Sequence, residues 1–237
     1  MRFAAPLIPA RLERRYKRFL ADVTLDDGSR LTCHCPNTGS MLGCAEPGSR
    51  VWLSHSDSAR RKYAHTWELV EVAGGVRVGI HTGRANGLVR EALEGQLVPS
   101  LADYGTIRAE ARLPDSRTRF DFHLTDHPDA GAAWVEVKNV TAAVDDGVAL
   151  FPDAVTSRGT RHLDALRGIA ETGGRAVLLF CVQREDVREV RPADAIDPAY
   201  GKALRRARDA GVEIHALGAR VAPDELVLER ALPVVCP

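Results

Sequence analysis

Apolar positions in the first third of the chain recur with a period of two. From Arg18 to Leu25, Phe19, Ala21, Val23 and Leu25 alternate with polar or mixed residues, the signature of a half-buried strand. Asp26-Asp27-Gly28-Ser29 then turns the chain, because Asp-Gly supplies the positive φ of a tight hairpin, and Leu31, Cys33 and Cys35 resume the alternation. Arg50–Ser54, Thr66–Val72 and Val76–Ile80 read as further short strands, with Gly74-Gly75 as a second hairpin turn. This succession predicts a small β-barrel of the oligonucleotide-binding (OB) type over residues 1–81.

The period changes after Ile80. Thr82-Gly83-Arg84-Ala85-Asn86-Gly87 separates the strands from a helical stretch with Leu88, Val89, Ala92, Leu93 and Leu97 on one face. Three strands are expected next, at Ile107–Leu113, Thr118–Thr125 and Ala133–Val140. A helix over Arg161–Glu171 follows, closed by Gly173-Gly174. Ala176–Val182 is continuously apolar, as a strand buried on both faces must be. Pro198–Ala210 reads as a helix and Val212–Leu217 as a strand, so residues 82–237 are expected to form an α/β domain.

Composition adds limits rather than a function. Lys and Arg number 32 and so do Asp and Glu, so net charge does not indicate a polyanionic partner. Distribution matters more: basic residues cluster at Arg11–Arg18, at Arg60-Arg61-Lys62 and at Lys202–Arg208, each a local positive field or a solvated face. Five unevenly spread cysteines do not make a disulfide framework and suit a reducing compartment. No apolar run is long enough for a membrane span, and arginines and prolines interrupt the N-terminus where a signal peptide needs an apolar run; a cytoplasmic location is expected.

Candidate chemistry lies in the three central strands. Period two places Arg119, Asp121 and His123 opposite the Phe120, Phe122 and Leu124 face, and places Trp134, Glu136 and Lys138 together opposite Val135 and Val137. Glu110 shares a face with Arg108 and Arg112. Adjacent strands can then bring Glu110, Asp121 and Glu136 together, and such a carboxylate group repels itself unless a cation neutralises it. Hard oxygen ligands suit Mg2+ or Mn2+. The set supports metal-assisted phosphodiester hydrolysis, with Glu110, Asp121 and Glu136 as ligands and Lys138 orienting water or stabilising developing charge. The plain alternative is a solvated sheet face with cross-strand ion pairs.

Other residues have two readings each. Thr156, Ser157, Gly159 and Thr160 precede a helix whose free amides can receive a phosphate, with Arg158 as its bidentate partner; equally, Thr160 can be an ordinary N-cap. His162, beside Leu163 and Leu166, reads as a packed helix residue and ranks behind Arg158. Arg60, Arg61 and Lys62, with Tyr16, Phe19, Trp52, Tyr63 and Trp67, could hold a nucleic-acid strand, though Phe19 and Trp52 are expected inside the barrel. Cys33, His34, Cys35 and Cys44 lack zinc spacing and are expected to be core.

Asp121 followed by Glu136-Val137-Lys138, in the order helix, three strands, helix, strand, resembles the PD-(D/E)xK nuclease superfamily, with Phe120 where that superfamily often has proline. Cys35-Pro36-Asn37-Thr38-Gly39-Ser40-Met41, Ser116–Phe122, Val135–Thr141 and Phe151-Pro152-Asp153-Ala154-Val155-Thr156-Ser157-Arg158-Gly159 resemble, in order and across the whole chain, the sugar fermentation stimulation protein family, SfsA. The resemblance implies a small OB-type barrel followed by a PD-(D/E)xK nuclease-like α/β domain. It also implies a protein associated with DNA binding and with regulation of sugar utilisation such as maltose. Two activities follow as expectations: Mg2+- or Mn2+-dependent cleavage of DNA or RNA, and non-catalytic DNA binding by a regulator. Exposed edge strands leave room for a homodimer, although no motif points to one.

Overall fold

The computed structural model describes residues 1–144 and 147–237. The barrel forms, but its first strand is one the alternation hides. β1 (Ile8–Tyr16) carries Pro9 and the charged residues Arg11, Glu13, Arg14 and Arg15, which mask its buried positions Ala10 and Leu12. It pairs antiparallel with β2 (Leu20–Leu25) and, on its other side, with β4 (Arg50–His55). β2 continues to β3 (Arg30–His34), and β4 to β5 (His65–Val72). A parallel bridge between His34 and Thr66 joins β3 to β5 and closes five strands into a barrel. β6 (Val76–Gly79) folds back on β5 through Gly74 and Gly75, whose φ of 77° and 75° need no Cβ penalty.

Val23, Cys33, Cys35, Val51, Leu53, Trp67 and Val70 are fully buried in the barrel. The cysteines are free core thiols, as expected, and burial pushes Cys33 up to about 12 and Cys44 up to about 11. Trp52 is buried as expected, but Phe19 is not: it is 47% exposed. Lys17 and Arg18 take φ of 50° and 66° in the β1–β2 turn, so Phe19 still belongs to the turn and the inside-outside alternation begins only at Leu20.

Helix α1 (Ala85–Glu94) follows a single 3-10 turn and begins inside the segment expected to be a loop. Next come β7 (Thr106–Arg112), β8 (Arg119–Thr125) and β9 (Ala133–Val140), then the short β10 (Ala143–Val144) and β11 (Val148–Phe151). Helix α2 (Ser157–Glu171) leads to β12 (Arg175–Val182), β13 (Glu189–Pro192), helix α3 (Pro198–Asp209), β14 (Glu213–Val221) and β15 (Leu226–Leu232). The main sheet has the order β15-β14-β12-β9-β8-β7, and β10, β11 and β13 form a small second sheet. The apolar run of β12 lies in the middle of the main sheet, parallel to β9 and β14, and is buried from Ala176 to Val182. One face of this sheet, with Val135, Val137, Leu179 and Leu217, packs on α1; the other, with Leu178, Phe180 and Val182, packs on α2 and α3. Each such side chain contributes about 1.5–3 kcal/mol on leaving water.

The two halves meet along a hydrogen-bonded seam. Gly79 N donates to Gln183 O at 2.9 Å, and Val78 bridges Arg184. The buried Arg184 guanidinium donates to Thr141 O at 2.9 Å and pairs with Asp186 at 2.8 Å. Asp153 accepts from Met41 N at 3.2 Å; a Cβ at neighbouring Gly39 would collide with the same carboxylate, so this approach requires glycine. Within the first half of the seam, buried Glu68 on β5 accepts from Ser54 Oγ and from Arg84, the residue that caps α1. No helix among the described residues is long and apolar enough to cross a membrane.

Candidate functional site

The site is made where β8 and β9 part. Their pairing runs from Leu124–Ala133 to Phe122–Val135 and is not continued to Asp121 and Glu136. The Val137 amide donates instead to Asp121 Oδ2 at 2.7 Å, so a carboxylate stands where a ladder would place a carbonyl. Alternation also lapses here. Phe122 and Leu124 point into the α1 core, but Phe120, expected on their face, lies in the α2–α3 core beside the Trp134 and His162 rings. Before Phe122, β8 is paired with β7 alone and is no longer held to a single facing.

Asn86, in the first turn of α1, donates Nδ2 to Asp121 Oδ1 at 2.8 Å. Burial, then the charge of Glu136, raises the Asp121 pKa above the ordinary carboxylate value in spite of these two hydrogen bonds. Glu136 is only 4% exposed. Its Oε1 receives both Lys138 Nζ and His162 Nδ1, each at 2.5 Å, while its Oε2 is buried without a described partner. Burial alone would raise its pKa, but His162 and Lys138 outweigh that and hold it below the usual range. The Tyr200 hydroxyl on α3 is also buried and unpartnered, and burial followed by the Glu136 charge pushes its pKa well up. This is a costly arrangement of polar groups, and it sits beside two carboxylates.

Asp121, Glu136 and Lys138 therefore converge, whereas Glu110 does not join them. Glu110 takes φ of 50° on β7, is exposed, and faces Arg119 at 3.6 Å. Sharing a sheet is not enough when the left-handed backbone at that residue redirects the side chain. Among the described residues, no three His, Cys, Asp or Glu side chains group as metal ligands. Two residues of the site carry little signal in the sequence. Asn86 falls in a segment whose composition predicts a loop, and His162 ranks there behind Arg158. A His five residues after the N-terminus of α2, on its buried face, is the one available signal.

The helix carrying His162 starts earlier than its apolar spacing predicts. Its N-cap is Thr156, not Thr160, with Thr156 Oγ1 accepting from Gly159 N at 3.0 Å. Ser157 and Arg158 are exposed in its first turn. Arg60, Arg61 and Lys62 are exposed in the β4–β5 connection, with Lys62 Nζ 5.7 Å from the Tyr63 ring centre.

Comparison with known proteins agrees in both halves. Residues 14–80 match the family model described as the SfsA N-terminal OB domain, and residues 83–225 match the sugar fermentation stimulation protein RE domain. The chain belongs to the sugar fermentation stimulation protein (SfsA) family. A sugar fermentation stimulation protein homolog from Alkalilimnicola ehrlichii is 61% identical over 238 residues, covering 100% of both chains. One from Halorhodospira halophila is 58% identical over 235 residues, covering 99% of this chain and 98% of the other. Among solved structures, SfsA from Pyrococcus furiosus, described as in complex with Ca2+, superposes with a TM-score of 0.88 at 26% identity over 99% of this chain and 98% of that one. The OB barrel followed by an α/β domain is thus the SfsA architecture.

Proposed function

We propose that this SfsA-family chain binds nucleic acid and hydrolyses phosphodiester bonds with a divalent cation, Mg2+ or Mn2+, held by Asp121 and Glu136. The observation that carries the reading is the unpartnered, buried Oε2 of Glu136 beside a carboxylate whose pKa is raised. Two carboxylates so placed repel each other and leave an oxygen unsatisfied; a hard cation relieves both costs. The Ca2+ described for the Pyrococcus furiosus protein is a hard cation of the same oxygen-seeking kind. Bound there, the cation supplies Lewis-acid stabilisation of phosphoryl charge and a more acidic water.

The protein's own groups do the rest. Asn86 and the Val137 amide fix both oxygens of Asp121, so its carboxylate needs no reorganisation. His162 holds Glu136 from the α2 side. Lys138 Nζ stands beside Glu136, where charge on a transferring phosphate would grow. DNA or RNA is the substrate class, with Arg158, Ser157 and Thr156 at the start of α2 and Arg60, Arg61 and Lys62 on the barrel as candidate backbone contacts.

A second reading, a non-catalytic DNA-binding regulator of sugar genes, is favoured by the outward turn of Glu110 and by the partners Glu136 already has in Lys138 and His162. Incubation of labelled single- and double-stranded DNA and RNA with Mg2+, Mn2+ or chelator separates the two. Metal-dependent cleavage that is absent from Asp121→Ala establishes the hydrolase; binding without cleavage in every condition leaves the regulator.

A further inference from the structure

Between the barrel and the α/β half lies a cavity of about 270 Å³ that the proposed function uses only at Thr156. It is room for roughly nine waters, and hence for one planar heterocycle of nucleobase size. Its place is informative. Asn139 and Thr141 in its wall follow Lys138 along and just beyond β9, roughly 3 to 10 Å further on at one strand rise per residue and on the opposite face by alternation, and Thr156, also in the wall, caps the helix that carries His162.

Its chemistry is that of a base pocket rather than a phosphate pocket. The charged residues lining it are Arg18 and Asp153, and their charges balance. Arg18 is already engaged, with Nε and Nη2 donating to Thr38 O at 3.0 and 2.8 Å. Phosphate binding draws on uncompensated positive charge, which is not offered here. Asn37, 3% exposed, uses its Oδ1 to accept from Gly39 N, and Asn139 uses its Oδ1 to accept from Gln183 Nε2. Their amide nitrogens donate to no other described residue, so two donors line a cavity whose wall also holds Thr38 and Thr141, the apolar Leu150, Pro152 and Val155, and Phe151, whose ring packs on Phe180 and Tyr200. Carboxamides and hydroxyls beside an apolar wall match the edge and face of a nucleobase.

We infer that this cavity seats one unpaired base of the strand whose phosphate lies at Asp121 and Glu136. It follows that the substrate is single-stranded at that point, or is made so by flipping. A paired base has its edge occupied and its faces stacked, and it enters such a pocket only when it is splayed out. The inference rests on the nucleic-acid reading of the site and specifies its substrate.

The test uses the full chain carrying Lys138→Ala, so that the probe survives, and single-stranded oligonucleotides with 2-aminopurine or an abasic site moved one position at a time. One register is expected to change 2-aminopurine fluorescence, and an abasic site there is expected to weaken binding about tenfold, within the range one seated base supplies. Ala154→Trp from the α/β side and Thr38→Trp from the barrel side, two ways of filling the same space, are each expected to remove that register dependence while the melting temperature stays that of the parent. Should one fail to fold, the other decides. Binding that is equal at every register overturns the pocket and leaves the nucleic-acid reading standing. Register dependence that survives both folded filling variants also overturns it. No binding of any oligonucleotide overturns both.

Discussion

Replacing Asp121 by asparagine is expected to make the metal-free protein more stable, although it removes a residue that the proposed activity needs. Asp121 has a pKa raised by burial and by Glu136. A carboxyl whose folded pKa lies above the unfolded value of about 3.9 contributes stability that is complete below that value and is lost as pH rises through the folded pKa. At neutral pH the ionised group is therefore a net cost. The cost has two parts, the lost hydration of the buried carboxylate and its repulsion by Glu136, and together they are on the order of 3 kcal/mol. Asparagine removes that cost and keeps both hydrogen bonds: its oxygen accepts from Val137 N, and Asn86 turns its amide over to accept from the new nitrogen. Going from charge-assisted to neutral weakens each of those bonds by about 1 kcal/mol. The balance is a gain of about 1 kcal/mol, or about 2–4 °C in melting temperature for a chain of this size.

Scanning calorimetry of wild type and Asp121→Asn in chelator, from pH 7 down toward pH 4, tests this. The variant should melt higher at pH 7, with the gap narrowing as the pH falls and wild-type Asp121 becomes protonated. Mg2+ or Mn2+ at about a hundred times its dissociation constant should then raise the wild type by about 2.7 kcal/mol and leave the variant behind. A variant that melts below wild type at pH 7 in chelator, or a metal response equal in both, would refute the reasoning.

Four further substitutions distinguish members of the cluster from bystanders. Lys138→Met is expected to lower cleavage at least about a hundredfold and, unlike Asp121→Asn, to destabilise the fold by about 2 kcal/mol in urea titration, because buried Glu136 loses its ammonium partner. His162→Gln should move the acid-unfolding midpoint upward: the lowered pKa of Glu136 gives stability that is present above the unfolded value of about 4.3 and lost as pH falls through the folded one, and His162 supplies much of that lowering. Glu110→Gln, at an exposed and loosely paired position, should leave cleavage within about twofold and stability within about 0.5 kcal/mol. Glu68→Gln breaks a buried carboxylate's pair with a partly exposed Arg84, and a loss of about 2 kcal/mol in denaturant is expected.

What can be read from the chain follows from how far each signal travels along it. Alternation and turn glycines are local, so β2 to β6, β12 and the Gly74-Gly75 turn are legible in the order of residues alone. So are Asp121, Glu136 and Lys138, because two of them share one strand face and the third lies on the polar face of the preceding strand. β1 is hidden because Pro9 and its run of charges break the pattern on the outward face. Thr160 is the expected cap and Thr156 the real one, since the choice depends on which hydroxyl meets Gly159 N. The other residues need the fold itself. Asn86 reaches Asp121 across 35 residues and His162 reaches Glu136 across 26, and no spacing rule connects either pair. Glu110 fails for the opposite reason: period two assumes β geometry, and its left-handed φ ends that assumption at one residue.

β6 has a consequence for how a substrate can arrive. One of its edges completes β5, and the other meets Gln183 and Arg184 just after β12, so the two halves are stitched by main-chain hydrogen bonds as well as by side chains. Swinging the barrel away from the α/β half would break those bonds together with the Asp153 grip on Met41. The barrel and the α/β half are thus joined as one piece rather than hinged like a jaw. Under the proposed function, a nucleic-acid strand would reach the site by its own bending, and its flexibility, rather than that of the protein, would set the rate of entry.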